Sequence, residues 1–343
     1  MNNKSDKKIL DLKSPLITTN PYITNRLAII SCYKGLEPWI YNNLTNFWMI
    51  KNYNSGYLAD FLYNSEYRFC PFLTDSTLDK EIVKVKWEDI VETIIDIIDC
   101  GKYASLNINS SYIKHYKLMP NTMHDIFVYG YDKANEILYV ADFFGTAEYS
   151  FEEVSFEDFR KAYENLSLTK QDDFLNGIKV ISVDKNYICN LDMDLIASGI
   201  KDYLFSRNTV VKSILQELDD NEKVSYGLSV YDEIRSYLEY IILQNEDRFA
   251  DYRVFHYLYA HKQIMNLRIR YLLDNGYISE KDYENINYDT IERECLDLRN
   301  GIIRYDFVKK KDLLFDAIKL TKEIKKNEED ALFKILYSIR GNK

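Results

Sequence analysis

The hydrophobic pattern changes character near residue 190, and this change constrains the fold more than any other feature of the sequence. Before it, amphipathic helical segments alternate with short β-prone runs at residues 103–108, 125–131, 137–142 and 177–183. After it, only long segments with helical spacing occur, at residues 191–205, 210–218, 230–245, 249–274, 283–298 and 313–339. A chain of 343 residues also exceeds one ordinary core. We therefore predict a loosely attached segment at 1–20, an α+β domain at 21–187 and a mostly α-helical domain at 188–343.

Charge and cysteine usage exclude several classes of function. A net charge of −10 argues against a nucleic-acid-binding surface, which needs clustered Lys and Arg. The 5 cysteines are scattered, without the spacing of a zinc site, which is typical of a reducing compartment. The opening stretch MNNKSDKKILDLK is charged, and no apolar run approaches the ~18 residues that cross a bilayer. We expect a cytoplasmic protein without a metal site that binds neither nucleic acid nor a membrane.

Cys32 differs from the other cysteines in its flanking sequence. The apolar run Leu27–Ile30 leads into it, and residues 36–48 place apolar side chains on one helical stripe. A helix N-terminus favours a thiolate and supplies N–H donors for an oxyanion. We therefore predict a nucleophilic role for Cys32, although a lone cysteine is more often a buried packing residue. The packing role is expected for the cysteines without such context, namely Cys70, Cys100, Cys189 and Cys295.

His124 and Asp142 form the second part of the candidate site. His124 opens the β-prone run 125–131, Asp142 closes the run 137–142, and residues 132–136 resemble a hairpin connection. Antiparallel pairing of the two runs would bring the start of one beside the end of the other. Three alternatives stay open: His115 in place of His124, Asp132 as the carboxylate, and a turn-capping role for Asp142.

Three sequence blocks carry a resemblance to a known family. The blocks SCYKGLEPWIYNNL, NINSSYIKHYKLMPNTMHDIFVYGYD and ILYVADFFG resemble the Cys, His and Asp blocks of papain-like proteins of the bacteriocin-leader-peptidase type. Their order, with a tyrosine-bearing loop before the histidine and a helical region after the blocks, is most similar to the butirosin-biosynthesis acyltransferase family. The resemblance implies a papain-like cysteine-protease fold in the N-terminal domain. It assigns Cys32, His124 and Asp142 as the catalytic nucleophile, base and orienting carboxylate.

The same resemblance implies a reaction and its partners. Members of the family transfer an acyl group from the phosphopantetheine thioester of an acyl or peptidyl carrier protein to a small amine, in secondary-metabolite assembly. Similar cysteine-protease homologues form amides in thiotemplated pathways such as that of closthioamide, where the acceptor is a diamine. No bound cofactor is implied. Papain-like enzymes often carry an oxyanion-hole Gln six positions before the cysteine, but Arg26 stands there, which leaves Asn25 as a weaker candidate.

The resulting hypothesis is ping-pong acyl transfer through an acyl-thioester on Cys32, with His124 deprotonating the amine. One rival is hydrolysis of the same acyl-enzyme, as in a peptidase, amidase or thioesterase. The other rival is a catalytically inactive papain-like scaffold that only binds. His256 and His261, five positions apart, miss the i, i+4 spacing of a helical metal pair.

Overall fold

The computed structural model describes residues 5–51, 53, 58–62, 70–116, 123–145, 148–167, 177–208, 224–244 and 248–341. The chain divides into two compact units. The first unit comprises Met1–Leu36 and Tyr67–Ile188, and the second comprises Glu37–Glu66 and Cys189–Lys343. The division near residue 188 lies at the predicted domain boundary, whereas the segment 37–66 groups with the C-terminal region.

Helices and strands alternate through the first part of the chain, and helices dominate the rest. Up to Ile188 the elements are β1 Lys7–Ile9, α1 Pro21–Ile30, α2 Pro38–Asn43, β2 Asn46–Ile50, β3 Ala59–Leu62, β4 Leu73–Leu78, α3 Lys80–Lys86, α4 Ile90–Asp99, β5 Tyr103–Asn109, β6 Met123–Asp132, β7 Ile137–Asp142, β8 Ser150–Ser155, α5 Phe156–Glu164 and β9 Ile178–Val183. Beyond it they are α6 Met193–Leu204, β10 Val224–Tyr226, α7 Val230–Leu243, α8 Tyr252–Asp274, α9 Glu280–Ile286, α10 Tyr288–Val308 and α11 Asp312–Gly341.

The first unit is built on an antiparallel sheet of seven strands in the order β4-β9-β5-β6-β7-β8, with β1 paired to the end of β6. The central strands β5, β6 and β7 are buried along most of their length, as their apolar runs predict. The mixed composition, the antiparallel sheet and the helical C-terminal region are as predicted. The papain-like fold itself stays a prediction.

Local sequence signals explain where the helices of the first unit begin. Asn20 accepts a hydrogen bond from the Ile23 N–H, and Pro21 occupies the first turn of α1. Asp89 caps α4 in the same way through the Val91 N–H. The sequence predicts a helix at about 87–99 with Gly101 as its C-terminal stop, and Gly101 adopts a φ of 74° just after α4.

The helix predicted at residues 36–48 forms only in part, and two strands in this region are not expected from the sequence. Helix α2 ends at Asn43, and β2 begins at Asn46. The buried Arg268 guanidinium donates to the carbonyls of Tyr41 (2.7 Å) and Leu44 (2.6 Å), so a cation stabilises the C-terminal end of α2. Strand β2 then pairs with β3 and β10. Pairing with strands distant in sequence overrides the helical spacing here.

Three further predictions need correction, and one falls outside the structure. The pattern at residues 151–163 predicts one helix, but β8 pairs with β7 up to Ser155, whose hydroxyl then caps α5. Residues 1–20 are expected to be loosely attached, but β1 is paired with β6. The strand signal is expected to end near residue 190, but β10 forms at Val224–Tyr226. The helix predicted at 210–218 lies outside the described residues.

A charged cluster lies at the centre of the second unit. The Lys262 ammonium donates to Glu328 (2.6 Å) and to Nδ1 of His261 (3.0 Å), and all three side chains are buried. Glu328 also accepts hydrogen bonds from three buried tyrosines on three other helices, namely Tyr203, Tyr231 and Tyr288. Helices α6, α7, α8, α10 and α11 are therefore tied to one carboxylate. A buried ion pair of this kind is costly to break because one partner would stay charged without compensation.

We expect Glu328→Gln to lower the free energy of unfolding by about 3 to 5 kcal/mol, because the Lys262 ammonium would lose its buried counter-charge. The control is Glu323→Gln on the same helix. Glu323 is 55% exposed and lies 4.0 Å from Lys319, so its replacement should cost less than about 1 kcal/mol. Urea denaturation followed by circular dichroism measures both variants. Equal, small losses in the two would contradict this account of the cluster.

Candidate active site

Pairing of β6 with β7 brings His124 and Asp142 together. Phe127 lies opposite Ala141 in this pair, so the register extended by one residue places Ile126 opposite Asp142. His124 is two residues from Ile126 and projects from the same face, which makes it a diagonal neighbour of Asp142. The Nδ1 atom of His124 lies 3.3 Å from Oδ2 of Asp142. The convergence predicted from antiparallel pairing is therefore confirmed.

The contacts of the His124 ring define which nitrogen carries the proton. Nδ1 lies 3.1 Å from the backbone carbonyl oxygen of Asp125, which only accepts hydrogen bonds. Nδ1 is therefore the protonated nitrogen of the neutral ring. The Nε2 lone pair makes no hydrogen bond to any residue that the structure describes, and the side chain keeps 16% exposure. Burial lowers the pKa of His124 below its ordinary value of 6.5, so the ring is neutral at pH 7.

Asp142 is almost completely enclosed. Its Oδ2 accepts a hydrogen bond from the Tyr116 hydroxyl, whereas its buried Oδ1 has no hydrogen-bond partner among the described residues. Burial raises the pKa of Asp142 to about 8, opposed by the Tyr116 hydroxyl and the Phe143 N–H and reinforced by Asp125. The carboxyl is therefore largely protonated at neutral pH in the free protein.

Asp125 lies on the opposite face of the sheet from His124. Its carboxylate accepts a hydrogen bond from Ser105 (2.8 Å), and the ring of Phe127, two residues on, stacks on Tyr103 at 5.6 Å between centroids. These four side chains therefore share one face, and strand alternation places His124 on the other. Burial raises the pKa of Asp125 as well, although Ser105 and nearby cations oppose the shift.

The structure does not bring Cys32 to His124 and Asp142. The Cys32 thiol and the Lys13 N–H both donate to the Ala28 carbonyl, and the Tyr103 hydroxyl donates to the carbonyl of Asp11, two residues before Lys13. The thiol therefore lies near the Tyr103 phenol. Tyr103 projects from the face opposite His124. It is also five residues along β5 from Ile108, the residue paired with His124, which is about 16 Å at 3.3 Å per residue. Cys32 thus lies towards the far end of the sheet and on its other face.

The local environment of Cys32 disfavours a thiolate. Cys32 follows the C-terminus of α1, and its thiol donates to the Ala28 carbonyl at 3.4 Å. The helix predicted to follow Cys32 begins as a short 3-10 turn, Lys34–Leu36, ahead of α2. The negative end of the helix dipole opposes a thiolate there. Burial raises the pKa of Cys32, and Asp11 raises it further, whereas Lys13 and Lys185 oppose the shift. This thiol therefore stays protonated at neutral pH.

Asn25, the oxyanion candidate, lies within α1. Its Oδ1 accepts a hydrogen bond from the Tyr149 hydroxyl at 2.7 Å. Seven residues of helix separate it from Cys32, about 10 Å at 1.5 Å per residue. Asn25 is therefore outside hydrogen-bonding range of any oxyanion that would form at the Cys32 thiol.

The alternative candidates occupy other environments. His115 contacts the Glu153 carbonyl (3.1 Å) and the Glu152 carboxylate (3.5 Å), and Asp132 accepts the Asn135 N–H in the turn after β6. The remaining cysteines are divided: Cys70 and Cys295 are buried, as predicted for packing residues, whereas Cys100 is exposed and Cys189 is half-buried. His261 is buried in the second unit.

Tyr116 also belongs to the site, although the sequence did not indicate it. It lies in a short 3-10 turn, Lys114–Tyr116, between β5 and β6. Its ring stacks on the imidazole of His124 at 4.9 Å between centroids and 29° between planes. The signal available in the sequence was the tyrosine-bearing loop just before the histidine. Which tyrosine of that loop is used depends on the fold of the turn.

Comparisons with known proteins assign neither a family nor a function to this chain. Neither protein-family models nor curated proteins match this chain. In the part of the chain that the structure describes, no group of three or more His, Cys, Asp or Glu side chains is arranged to hold a metal ion. No helix within the same residues has both the length and the apolar composition to cross a membrane.

The pH dependence of the free energy of unfolding should reveal whether the Asp142 carboxyl is protonated. Between the ordinary pKa of 3.8 and the folded value of about 8, the folded protein holds a proton that the unfolded chain releases. This contribution to stability is therefore present at low pH and is lost as the pH rises towards 8. We expect Asp142→Asn to gain stability relative to wild type between pH 5 and 8, by at most about 1.4 kcal/mol per pH unit.

His124→Gln is the matched variant, for which the expected pH dependence of stability has the opposite sign. The folded pKa of His124 is lowered, so the wild type loses stability as the pH falls below 6.5 and the variant does not. Urea denaturation at a series of pH values measures both differences. An unchanging difference for Asp142→Asn over this range would contradict a protonated carboxyl.

Proposed function

We propose that the first unit is a papain-like domain that catalyses amide-forming acyl transfer with the His124–Asp142 pair as general base, and without Cys32 as nucleophile. The donor is the phosphopantetheine thioester of a carrier protein, and the acceptor is a small amine. The observation that carries the proposal is the geometry of His124, whose Nδ1 is hydrogen-bonded and whose Nε2 lone pair has no partner among the described residues. The acyl-carrier donor and the amine come from the resemblance of the sequence blocks.

The reaction needs one group that accepts and returns a proton. The amine nitrogen attacks the thioester carbonyl while Nε2 of His124 takes a proton from it, so a C–N bond forms. The C–S bond then breaks, and Nε2–H returns the proton to the leaving sulfur, which gives an amide and a free thiol. Because burial lowers the pKa of His124, the imidazole is neutral and can accept a proton at physiological pH. The Asp142 side chain holds the ring through Nδ1 while Nε2 exchanges the proton.

This route differs from the ping-pong route in having no acyl-enzyme. The raised pKa of the Cys32 thiol and its position on the face of the sheet opposite His124 both argue against attack by that sulfur. A general base alone contributes typically 10²- to 10⁴-fold to a rate, which suits an activated thioester more than a stable amide. The hydrolytic alternative, in which water replaces the amine, would use the same base.

The inactive scaffold remains the second candidate, and one observation favours it. With its pKa raised to about 8, Asp142 is largely uncharged at neutral pH and offers little stabilisation to an imidazolium. A scaffold of this kind would bind a carrier-linked acyl group or an amine without turning it over.

The decisive experiment compares His124→Gln with Cys32→Ala. Acylated carrier protein is incubated with candidate di- and polyamines, and mass spectrometry follows the amide, the free acid and any acyl adduct on the protein. We expect His124→Gln to lose amide formation by about 10²-fold or more, and Cys32→Ala to retain it within a factor of a few.

Other outcomes assign the chain to the alternatives. An acyl adduct that disappears in Cys32→Ala would restore the ping-pong route and contradict the proposal. Free acid in place of amide, again dependent on His124, would indicate the hydrolase. No turnover by the wild type with any donor and acceptor, together with saturable binding of the acylated carrier, would indicate the scaffold. The exposed Cys100 provides an alkylation control: we expect Cys32 to react with iodoacetamide no faster than Cys100 does.

A further inference from the structure

We infer that Tyr116 is a positioning residue that holds His124 and Asp142 in their working orientation. The inference rests on the proposed general-base function of that pair, and it adds a residue that touches neither reacting atom. Tyr116 contacts both members of the pair at once. Its hydroxyl donates to Oδ2 of Asp142, and its ring stacks on the imidazole of His124.

The position of Tyr116 is itself fixed by packing. Its side chain is 2% exposed, and its backbone N–H donates to the Ile113 carbonyl at 3.0 Å. On another side the ring meets Phe144 at 4.9 Å between centroids. A buried aromatic ring held by a turn and by a second ring has little rotational freedom. Tyr116 can therefore transmit a defined orientation to its two neighbours.

The rotation of the Asp142 carboxyl depends on few side chains. Oδ2 faces both the Tyr116 hydroxyl and Nδ1 of His124, whereas Oδ1 is buried with no hydrogen-bond partner among the described residues. Without the phenol, His124 would be the single described side chain that orients this carboxyl. The hydroxyl bond also favours the ionised form of Asp142, against the burial that raises its pKa.

The stacked ring acts on His124 when the imidazole gains a proton. A centroid separation of 4.9 Å is inside the range of about 6 Å in which a cation is attracted to an aromatic face. The ring of Tyr116 therefore stabilises the imidazolium formed during proton transfer, and Asp142 does so only in its ionised form. The phenol and the ring thus act on the same charge, one through the carboxyl and one directly.

Histidine titration tests this inference without an enzyme assay. The chain has 4 histidines, so their imidazole signals can be followed individually by NMR, with the His124 signal identified by its loss in His124→Gln. We expect Tyr116→Phe, which keeps the ring and removes the hydroxyl, to lower the pKa of His124, because the ionised form of Asp142, the form that stabilises an imidazolium, loses the hydrogen bond that favours it. Tyr116→Leu, which removes the ring as well, should lower it further.

Tyr163→Phe is the matched control. Tyr163 is a half-buried tyrosine of the same unit whose hydroxyl has no hydrogen-bond partner among the described residues. Its replacement should leave the pKa of His124 unchanged. If Tyr116→Phe does not fold, Phe144→Leu removes the ring behind Tyr116 and should shift the pKa of His124 in the same direction by a smaller amount.

The rate and the titration together separate this inference from the proposed function. Where amide formation is measurable, Tyr116→Phe should lower kcat about tenfold with little change in KM, since it removes one hydrogen bond to a group that becomes charged. An unchanged pKa of His124 in Tyr116→Phe and Tyr116→Leu would overturn the positioning role. A shifted pKa in these variants, together with no acyl transfer by the wild type, would refute the function and leave the positioning role standing.

Discussion

The antiparallel pairing of β6 with β7 is the constraint on which the candidate site depends. Side chains alternate between the faces of a strand, so a slip of one residue in this pairing would move Asp142 to the face opposite His124. The register is held by the turn between the strands, where the Asp132 carboxylate accepts the Asn135 N–H. It shifts once, between Val128 and Gly130. A Cβ atom at Gly130 would lie 2.8 Å from the Lys8 carbonyl oxygen, so the close approach of β1 requires glycine there.

The direction of α1 decides what Cys32 can do. A cysteine at the N-terminus of an α-helix lies at the positive end of the helix dipole. Cys32 lies instead at the negative end of α1, and the segment that begins just after it, at Lys34, is a short 3-10 turn. Its raised pKa is consistent with a thiol that stays protonated. The chemistry that we propose therefore uses the imidazole lone pair of His124 in place of a thiolate, and direct attack by the amine in place of an acyl-enzyme.

The two units differ in how completely their buried carboxyl groups are hydrogen-bonded. In the second unit Glu328 is compensated by Lys262 and by three tyrosine hydroxyls. In the first unit the Asp142 carboxyl keeps one oxygen without a hydrogen-bond partner among the described residues, and its pKa rises to about 8. A fully satisfied network stabilises helix packing, whereas an incompletely satisfied buried acid costs stability and is typical of sites kept for function. This contrast separates the candidate site from a purely structural cluster.

The sequence by itself determined the parts of this protein that depend on local pattern. The β-prone runs around His124 and Asp142 and the helical character of the C-terminal region can both be read from residue spacing. Only the tertiary structure decided the rest. Residues 46–50 form a strand because strands distant in sequence pair with them. Cys32 lies away from His124 because it follows the C-terminal end of α1. Tyr116 joins the site through a turn whose shape no local pattern encodes. Periodicity records which face a side chain occupies, but the approach of distant segments depends on packing that a single sequence does not display.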